Sequence, residues 1–566
     1  MASRRFAGIV LAVAAVVPLG AAGAATEAEA EAEVDPATDT TAAVVRTEAG
    51  LVRGRTDGGH LDFQGIPYAA PPVGEGRWAP PRRPRSWSGV RDATTPGNVC
   101  AQPGYLPDGT PTVTGAEDCL YLNVTTPTTP TPAAAAAATR ARGRRLPVMV
   151  WLHGGGFVSG AGTEYDGARL AEAGNVMVVT VNYRLGPLGF LSTPALDGEG
   201  ERGRDRQQSG NYGLQDQQAA LRWVERNAAR FGGDPGNVTI FGQSAGSITV
   251  CAHLASPGSR GLYDKAIAQS GSCANDFVTK PVADERGRGT TTALGCDDAG
   301  AGVDSRAVAA CLRERPVADV LATTPPQGPV TDERADRPWL PVVGTSVLPR
   351  QPIDALARGS AADVPLMVGS TQQEMWSFVG FRYDAGGRPL TVAAYEAVIA
   401  DTFGPDAADV LARYPASAHP SPAQALATVL TDWGRQIGAC PVLETARVAA
   451  RQAPVFAYEL TEDSGEVYEG FPLGAYHSWD LPFLWDLSIP DSAYPELTPS
   501  QRALSERMVG LWTTFAHTGD PNARGSDDWP RFDPAVDSVL SLAAGEGGIA
   551  PAPFAAPHQC TFWSTR

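Results

Sequence analysis

The chain is short of positive charge. Its 45 Lys and Arg stand against 62 Asp and Glu, a formal net charge of −17 at pH 7. Nucleic acid and anionic membrane surfaces would repel such a chain, and neither is expected as a partner. Past residue 25 no apolar run approaches the length of a membrane span. Internal repeats are absent, histidine is scarce at seven residues, and the Cys and His positions follow no zinc-ligand spacing. No metal or cofactor is therefore expected. What remains is an ordinary soluble globular composition, 43% hydrophobic and 19% charged, in a chain long enough to bury a large core.

Residues 1–25 read as a secretory signal peptide, with Arg4 and Arg5 ahead of the apolar stretch Phe6 to Leu19 and small residues Ala22-Gly23-Ala24 at a cleavage site. The expected location is extracellular. Residues 26–44, rich in Ala, Glu and Thr, read as a disordered lead-in, and 45–566 as one domain. Within it Thr125–Arg145 and Asp197–Ser209 read as surface loops. Strands are expected at Leu146–Leu152, Val176–Asn182, Asn237–Phe241, Ala266–Gln269, Pro365–Val368 and Val455–Leu460, and an amphipathic helix at Asp216–Ala228. Strands alternating with helices imply an α/β fold, its mostly parallel sheet covered on both faces, with ligands at the carboxyl ends of the strands.

Two stretches carry chemistry. The run Val238-Thr239-Ile240-Phe241-Gly242-Gln243-Ser244-Ala245-Gly246-Ser247 passes from β-branched residues through G-x-S-x-G into small, helix-compatible ones. That order of strand, sharp turn and helix is the context of a nucleophile elbow presenting Ser244, with the Ala245 N–H at the helix start facing a developing oxyanion. The second stretch, His153-Gly154-Gly155-Gly156-Phe157, follows directly on an apolar strand. Its glycines let the backbone N–H groups of Gly155 and Gly156 converge on the same oxyanion.

With these in place the chain resembles the type-B carboxylesterase family, α/β-hydrolases that include carboxylesterases, cholinesterases and fungal lipases. The likeness runs from Phe63-Gln64-Gly65-Ile66-Pro67-Tyr68-Ala69 to Phe562-Trp563, through Glu117–Val124, Asn182-Tyr183-Arg184, Gly210–Gln217, Phe231–Pro235 and Gly519-Asp520-Pro521-Asn522. It implies a central mostly parallel sheet with insertions over the active site. It also implies a Ser-His-Glu triad, with Glu374 in Gly369-Ser370-Thr371-Gln372-Gln373-Glu374 as the acid. The base is His477 in Gly474-Ala475-Tyr476-His477, ahead of Asp480-Leu481-Pro482-Phe483. Ser244, Glu374 and His477 follow the chain order expected of such hydrolases. The implied reaction is hydrolysis of small-molecule carboxylic esters through an acyl-Ser244 intermediate.

The same triad serves lipases and hydrolases of amides, carbamates or thioesters, while adhesion proteins of the family have lost triad residues that this chain keeps. The resemblance further implies disulfides Cys100–Cys119, Cys296–Cys311 and Cys440–Cys560; Cys251 and Cys273 either pair or stay as buried thiols. Two departures narrow the substrate. Cholinesterases carry Glu where this chain has Gln243, and a Trp in the loop matching Cys100–Cys119, where this chain has none. Choline esters are not expected. The loop Ala101–Asp118 is short and rich in Pro, Gly and Thr, unlike the apolar lid of the fungal lipases. Trp339, Trp376, Phe378 and Phe381 are candidates for the pocket wall. No particular oligomeric state is implied.

Overall fold

In a computed structural model, residues 43–105, 110–128, 145–198, 208–274, 276–296, 304–324, 339–384, 387, 389–434, 436–489, 494–523 and 528–565 are described. The expected signal peptide, the lead-in up to residue 42 and most of the two expected loops (129–144 and 199–207) lie outside them.

Apolar runs rich in β-branched residues become strands because such side chains fit a pleated, covered surface. The main sheet contains β1 (Ala43–Arg46), β2 (Leu51–Asp57), β3 (His60–Pro67), β4 (Tyr121–Pro127), β5 (Leu146–Leu152) and β6 (Met177–Val181). It continues with β7 (Gly233–Gln243), β8 (Lys265–Gln269), β9 (Leu366–Thr371), β10 (Val455–Leu460), β11 (Val539–Leu542) and β12 (Ile549–Ala552). Their order is β1-β2-β3-β4-β6-β5-β7-β8-β9-β10-β11-β12, with the short strand Val90–Asp92 beside β2. From β6 to β11 every pairing is parallel; β1 to β4 and β12 pair antiparallel with their neighbours in that order, while Val90–Asp92 runs parallel to β2.

The central strands divide their side chains between two cores, as a period of two requires. Val148, Val150 and Leu152 of β5 enter one core, with Ala220, Leu221 and Val224 of helix α1 (Tyr212–Asn227). Met149 and Trp151 enter the other, with Leu504, Met508 and Trp512 of helix α2 (Pro499–Thr518). Strands buried on both faces read as continuous apolar runs, which is why they stand out in the sequence.

Several expected boundaries move, each for a tertiary reason. Ala43 and Val44, expected in the lead-in, pair with Gly54 and Arg53. Thr125 and Thr126, expected in a surface loop, are strand residues held between Val178 on one side and Leu61 and Asp62 on the other. The strand expected at Asn237–Phe241 begins at Gly233, across a register shift. Helix α1 starts at Tyr212, four residues ahead of the expected Asp216, because Tyr212, Gly213 and Leu214 are themselves buried against the fold. Asp216 is fully buried and holds Arg184 through two contacts of 2.7 Å.

Four disulfides close: Cys100–Cys119, Cys251–Cys273, Cys296–Cys311 and Cys440–Cys560. The question of Cys251 and Cys273 is thereby answered in favour of a bond. Within the Cys100–Cys119 loop the described residues form a short hairpin, Gln102–Tyr105 against Pro111–Thr114. No helix among the described residues is long and apolar enough to cross a membrane.

Candidate active site

Ser244 stands between the end of β7 at Gln243 and the start of the helix Ala245–Ala255, at the carboxyl end of the parallel strands. Its backbone, φ 57° and ψ −125°, lies in a region that L residues rarely adopt. The turn is so tight that a Cβ on Gly246 would sit 1.9 Å from the Leu152 carbonyl oxygen, so only glycine fits there. The Ser244 N–H donates to the Gln269 carbonyl at 3.0 Å, which ties the turn to the end of β8. This is the strand–turn–helix expected of an elbow.

The glycine loop comes off the end of β5 and lies directly against that turn: a Cβ on Gly154 would be 3.2 Å from Ser244 Cβ. Gly155 at φ 98° and Gly156 at φ 60° bend the loop, and a Cβ on Gly155 would meet the Ser159 carbonyl oxygen at 2.1 Å. Below it the His153 ring stacks on Tyr183 with centroids 4.4 Å apart, and burial holds its imidazole down at about 4. His153 is thus a neutral support for the loop.

Glu374 follows β9 by three residues. It is fully buried, and its Oε1 accepts the Thr371 N–H at 2.7 Å. The segment that carries it pairs with the segment that carries His477: Gln373 bridges to Tyr476, and Ala475 N–H donates to Gln373 Oε1 at 2.8 Å. The result is a contact of 2.5 Å between His477 Nδ1 and Glu374 Oε2, across 103 residues of chain. His477 and Ser244 are both buried, at 8% and 6% exposure, so a proton moving between them would be shielded from bulk water. Among the described hydrogen bonds none joins Ser244 Oγ to His477. The Nε2 of His477 instead faces Gln243 Nε2 at 3.3 Å. In a resting site such bonds are often long and tighten only with substrate.

Two carboxylates with raised pKa have no role that the sequence assigns. Asp480, three residues after His477, is buried and accepts from Gln269 Nε2 at 2.6 Å. Burial pushes its carboxyl up to about 6, with Glu374 adding to the rise. Glu164 is pushed up to about 7, again by burial. Neither belongs to a motif that names its role, although Asp480 lies within a stretch that carries the family resemblance.

Of the four aromatic candidates, Phe378 meets the site. Its ring lies 5.4 Å from that of His477, and the residue is 37% exposed. Trp376 packs on Phe471 and Phe381 on Tyr468, both against the apolar cluster that holds Met375 and Val379. Trp339, expected in the wall, is buried in the apolar cluster with Phe157 and Ala245, its Nε1 donating to Thr324 Oγ1 at 3.1 Å. Its indole is satisfied by core packing. Four of the other histidines are engaged elsewhere: His253 between Ser259 and Gln217, His60 on Glu172, His517 on the Gly174 carbonyl, and His558 between Asp432 and Glu459.

A profile of the carboxylesterase family matches residues 41–563. The chain is 34% identical over 510 residues to the para-nitrobenzyl esterase of Bacillus subtilis (strain 168), covering 88% of this chain and 94% of that protein. It is 34% identical over 524 residues to the cocaine esterase of Homo sapiens, covering 88% and 86% respectively. A solved structure of a PNB esterase superimposes with a TM-score of 0.73 at 32% identity, over 91% of this chain and 99% of that one. The parallel sheet, the elbow at its carboxyl edge and these likenesses agree: the chain belongs to the carboxylesterase family, a carboxylic ester hydrolase with the α/β-hydrolase fold.

Proposed function

We propose that this esterase is a secreted serine hydrolase whose triad is Ser244, His477 and Glu374, acting on small to medium esters. The observation that carries the reading is the 2.5 Å contact between His477 Nδ1 and Glu374 Oε2 beside a strained Ser244. A serine hydroxyl is a poor nucleophile at its own pKa. Ser244 Oγ attacks the ester carbonyl carbon while its proton passes to His477 Nε2. The tetrahedral oxyanion collapses, the C–O bond to the alcohol breaks, and His477 returns the proton to the departing oxygen. Water, deprotonated by the same nitrogen, then releases the acid from acyl-Ser244. Glu374 keeps the proton on Nδ1 and stabilises the imidazolium without accepting the proton. The N–H groups of Gly155, Gly156 and Ala245 hold the oxyanion, each at on the order of 3 kcal/mol of barrier. Among the described residues none of the three donates to another protein group, which supports that role.

Secretion rests on the N-terminal signal, and four disulfides suit an oxidising compartment. The short hairpin within the Cys100–Cys119 loop supports a site open to dissolved esters without interfacial activation. Hydrolysis of p-nitrophenyl esters from acetate to palmitate is expected to peak at short chains, with the matched anilide of the best acid turned over far more slowly. A peak at palmitate would replace this reading with a lipase, and a comparable anilide rate with an amidase.

Phe378 supplies an aromatic face beside the base, and a relative named for para-nitrobenzyl esters fits an aryl group on it. Phe378→Ala is expected to raise KM for benzyl esters about tenfold while leaving methyl esters within about twofold, the worth of one aromatic contact. Equal changes for both esters would remove Phe378 from the specificity wall.

A further inference from the structure

The base nitrogen of His477 has a neighbour that the triad chemistry does not use. Gln243, the last residue of β7, is 2% exposed, and its Nε2 lies 3.3 Å from His477 Nε2 and 3.1 Å from Ser478 Oγ. Because His477 Nδ1 faces a Glu374 carboxylate oxygen, Nδ1 carries the ring proton and Nε2 the lone pair. The amide N–H of Gln243 is then the donor and Nε2 the acceptor. A hydrogen bond received by the neutral imidazole favours that form over the imidazolium. Ser478, held at φ 73°, sets its hydroxyl as the second acceptor and fixes the amide between the two. Once Nε2 has taken the serine proton, the same amide turned by half a rotation offers Oε1 as an acceptor. A carboxylate in this place could serve only the protonated ring.

The charge around His477 gives that choice its weight. Glu374 faces the ring from the segment after β9, and Asp480 lies buried on the segment of His477 itself. Tyr458 of β10 lies within the fields of both carboxylates. Tyr494, ahead of α2, bonds Ser478 and lies within the fields of Asp480, Glu164 and Glu466. These neighbours are carboxylates and phenols. The neutral amide of Gln243 is the group set against them.

We infer that Gln243 is a positioning residue that holds His477 as the neutral, Nδ1-protonated base between turnovers, so that hydrolysis reaches more acidic pH than a carboxylate at that position would permit. This rests on the triad reading above. The test compares kcat/KM against pH for wild type, Gln243→Glu and Gln243→Met, using a neutral p-nitrophenyl ester, with the acylation burst counting competent sites. In Gln243→Glu the acid limb is expected to move up by about one pH unit, and in Gln243→Met by less in the same direction. A purely structural role would lower the burst and leave the limb where it is. Coincident limbs, or a downward move in Gln243→Glu, overturn the inference, and Gln243→Met decides the matter alone if Gln243→Glu does not fold. A burst that survives in Ser244→Ala would instead defeat the triad reading itself.

Discussion

Ser244→Ala is expected to lose ester hydrolysis by on the order of 10⁵–10⁶-fold in kcat, with the fold intact. The size follows from what the hydroxyl alone supplies. Without Oγ no acyl intermediate can form, His477 and Glu374 have no proton to move, and the three residues fail as a unit. What survives is substrate binding and the N–H donors of Gly155, Gly156 and Ala245, which together leave about 10³-fold over the uncatalysed rate. Stability is expected to change little, within about 0.5 kcal/mol, because Ser244 Oγ makes no described hydrogen bond and the φ of 57° is as strained for alanine as for serine. The measurement is hydrolysis of p-nitrophenyl acetate at the short-chain optimum, with circular dichroism and a urea midpoint as controls. Residual activity within about tenfold of wild type, in a folded variant, would move the nucleophile elsewhere.

The elbow is legible in the amino-acid sequence because the residues that mark it are adjacent in the chain. Gly242, Gly246 and the β-branched run before them fall within ten residues, and the close approach to Leu152 that forbids a Cβ is the physical reason for the glycine. The central strands are equally visible, since burial on both faces keeps their runs mostly apolar, with few polar residues such as Thr180, Thr239 and Glu459 among them. Glu374 and His477 are not legible from pattern alone: each sits in an irregular segment, and only the family likeness selects them. The Gln243 contact is out of reach because its partner lies 234 residues away. Strand ends and the start of α1 slip for a related reason, since pairing partners and burial extend elements past where propensity falls off. His558 has no catalytic context in the sequence and takes no part in the chemistry. Its partners, though, stand 126 and 99 residues away, and nothing nearby announces them.

Those partners make His558 the source of the second large effect, a loss of stability toward alkaline pH. Its Nδ1 meets Asp432 Oδ1 and its Nε2 meets Glu459 Oε1, both at 2.6 Å, with all three side chains at 7% exposure or less. Asp432 sits on the helix Pro422–Trp433 and Glu459 on β10, while His558 precedes Cys560, whose disulfide to Cys440 pins the same segment. Tyr414 OH donates to the other oxygen of Asp432 at 2.8 Å, and Trp563 Nε1 donates to Tyr414 OH. Burial alone would push the imidazole down, but the hydrogen bonds and charges of the two carboxylates outweigh it and raise His558 to about 10 from an ordinary 6.5. A folded value above the unfolded one means that the stabilisation is full below about 6.5, declines as pH rises, and is gone above about 10. At 1.36 kcal/mol per pH unit the whole span amounts to on the order of 5 kcal/mol. The urea midpoint of wild type is therefore expected to fall steadily from pH 6.5 to 10, faster than that of His558→Gln. The variant should start lower at pH 7, because Asp432 and Glu459 are left buried without their cation, and the two curves should converge as pH approaches 10. Curves that stay parallel across this range would show that the ion cluster holds no proton the unfolded chain would release.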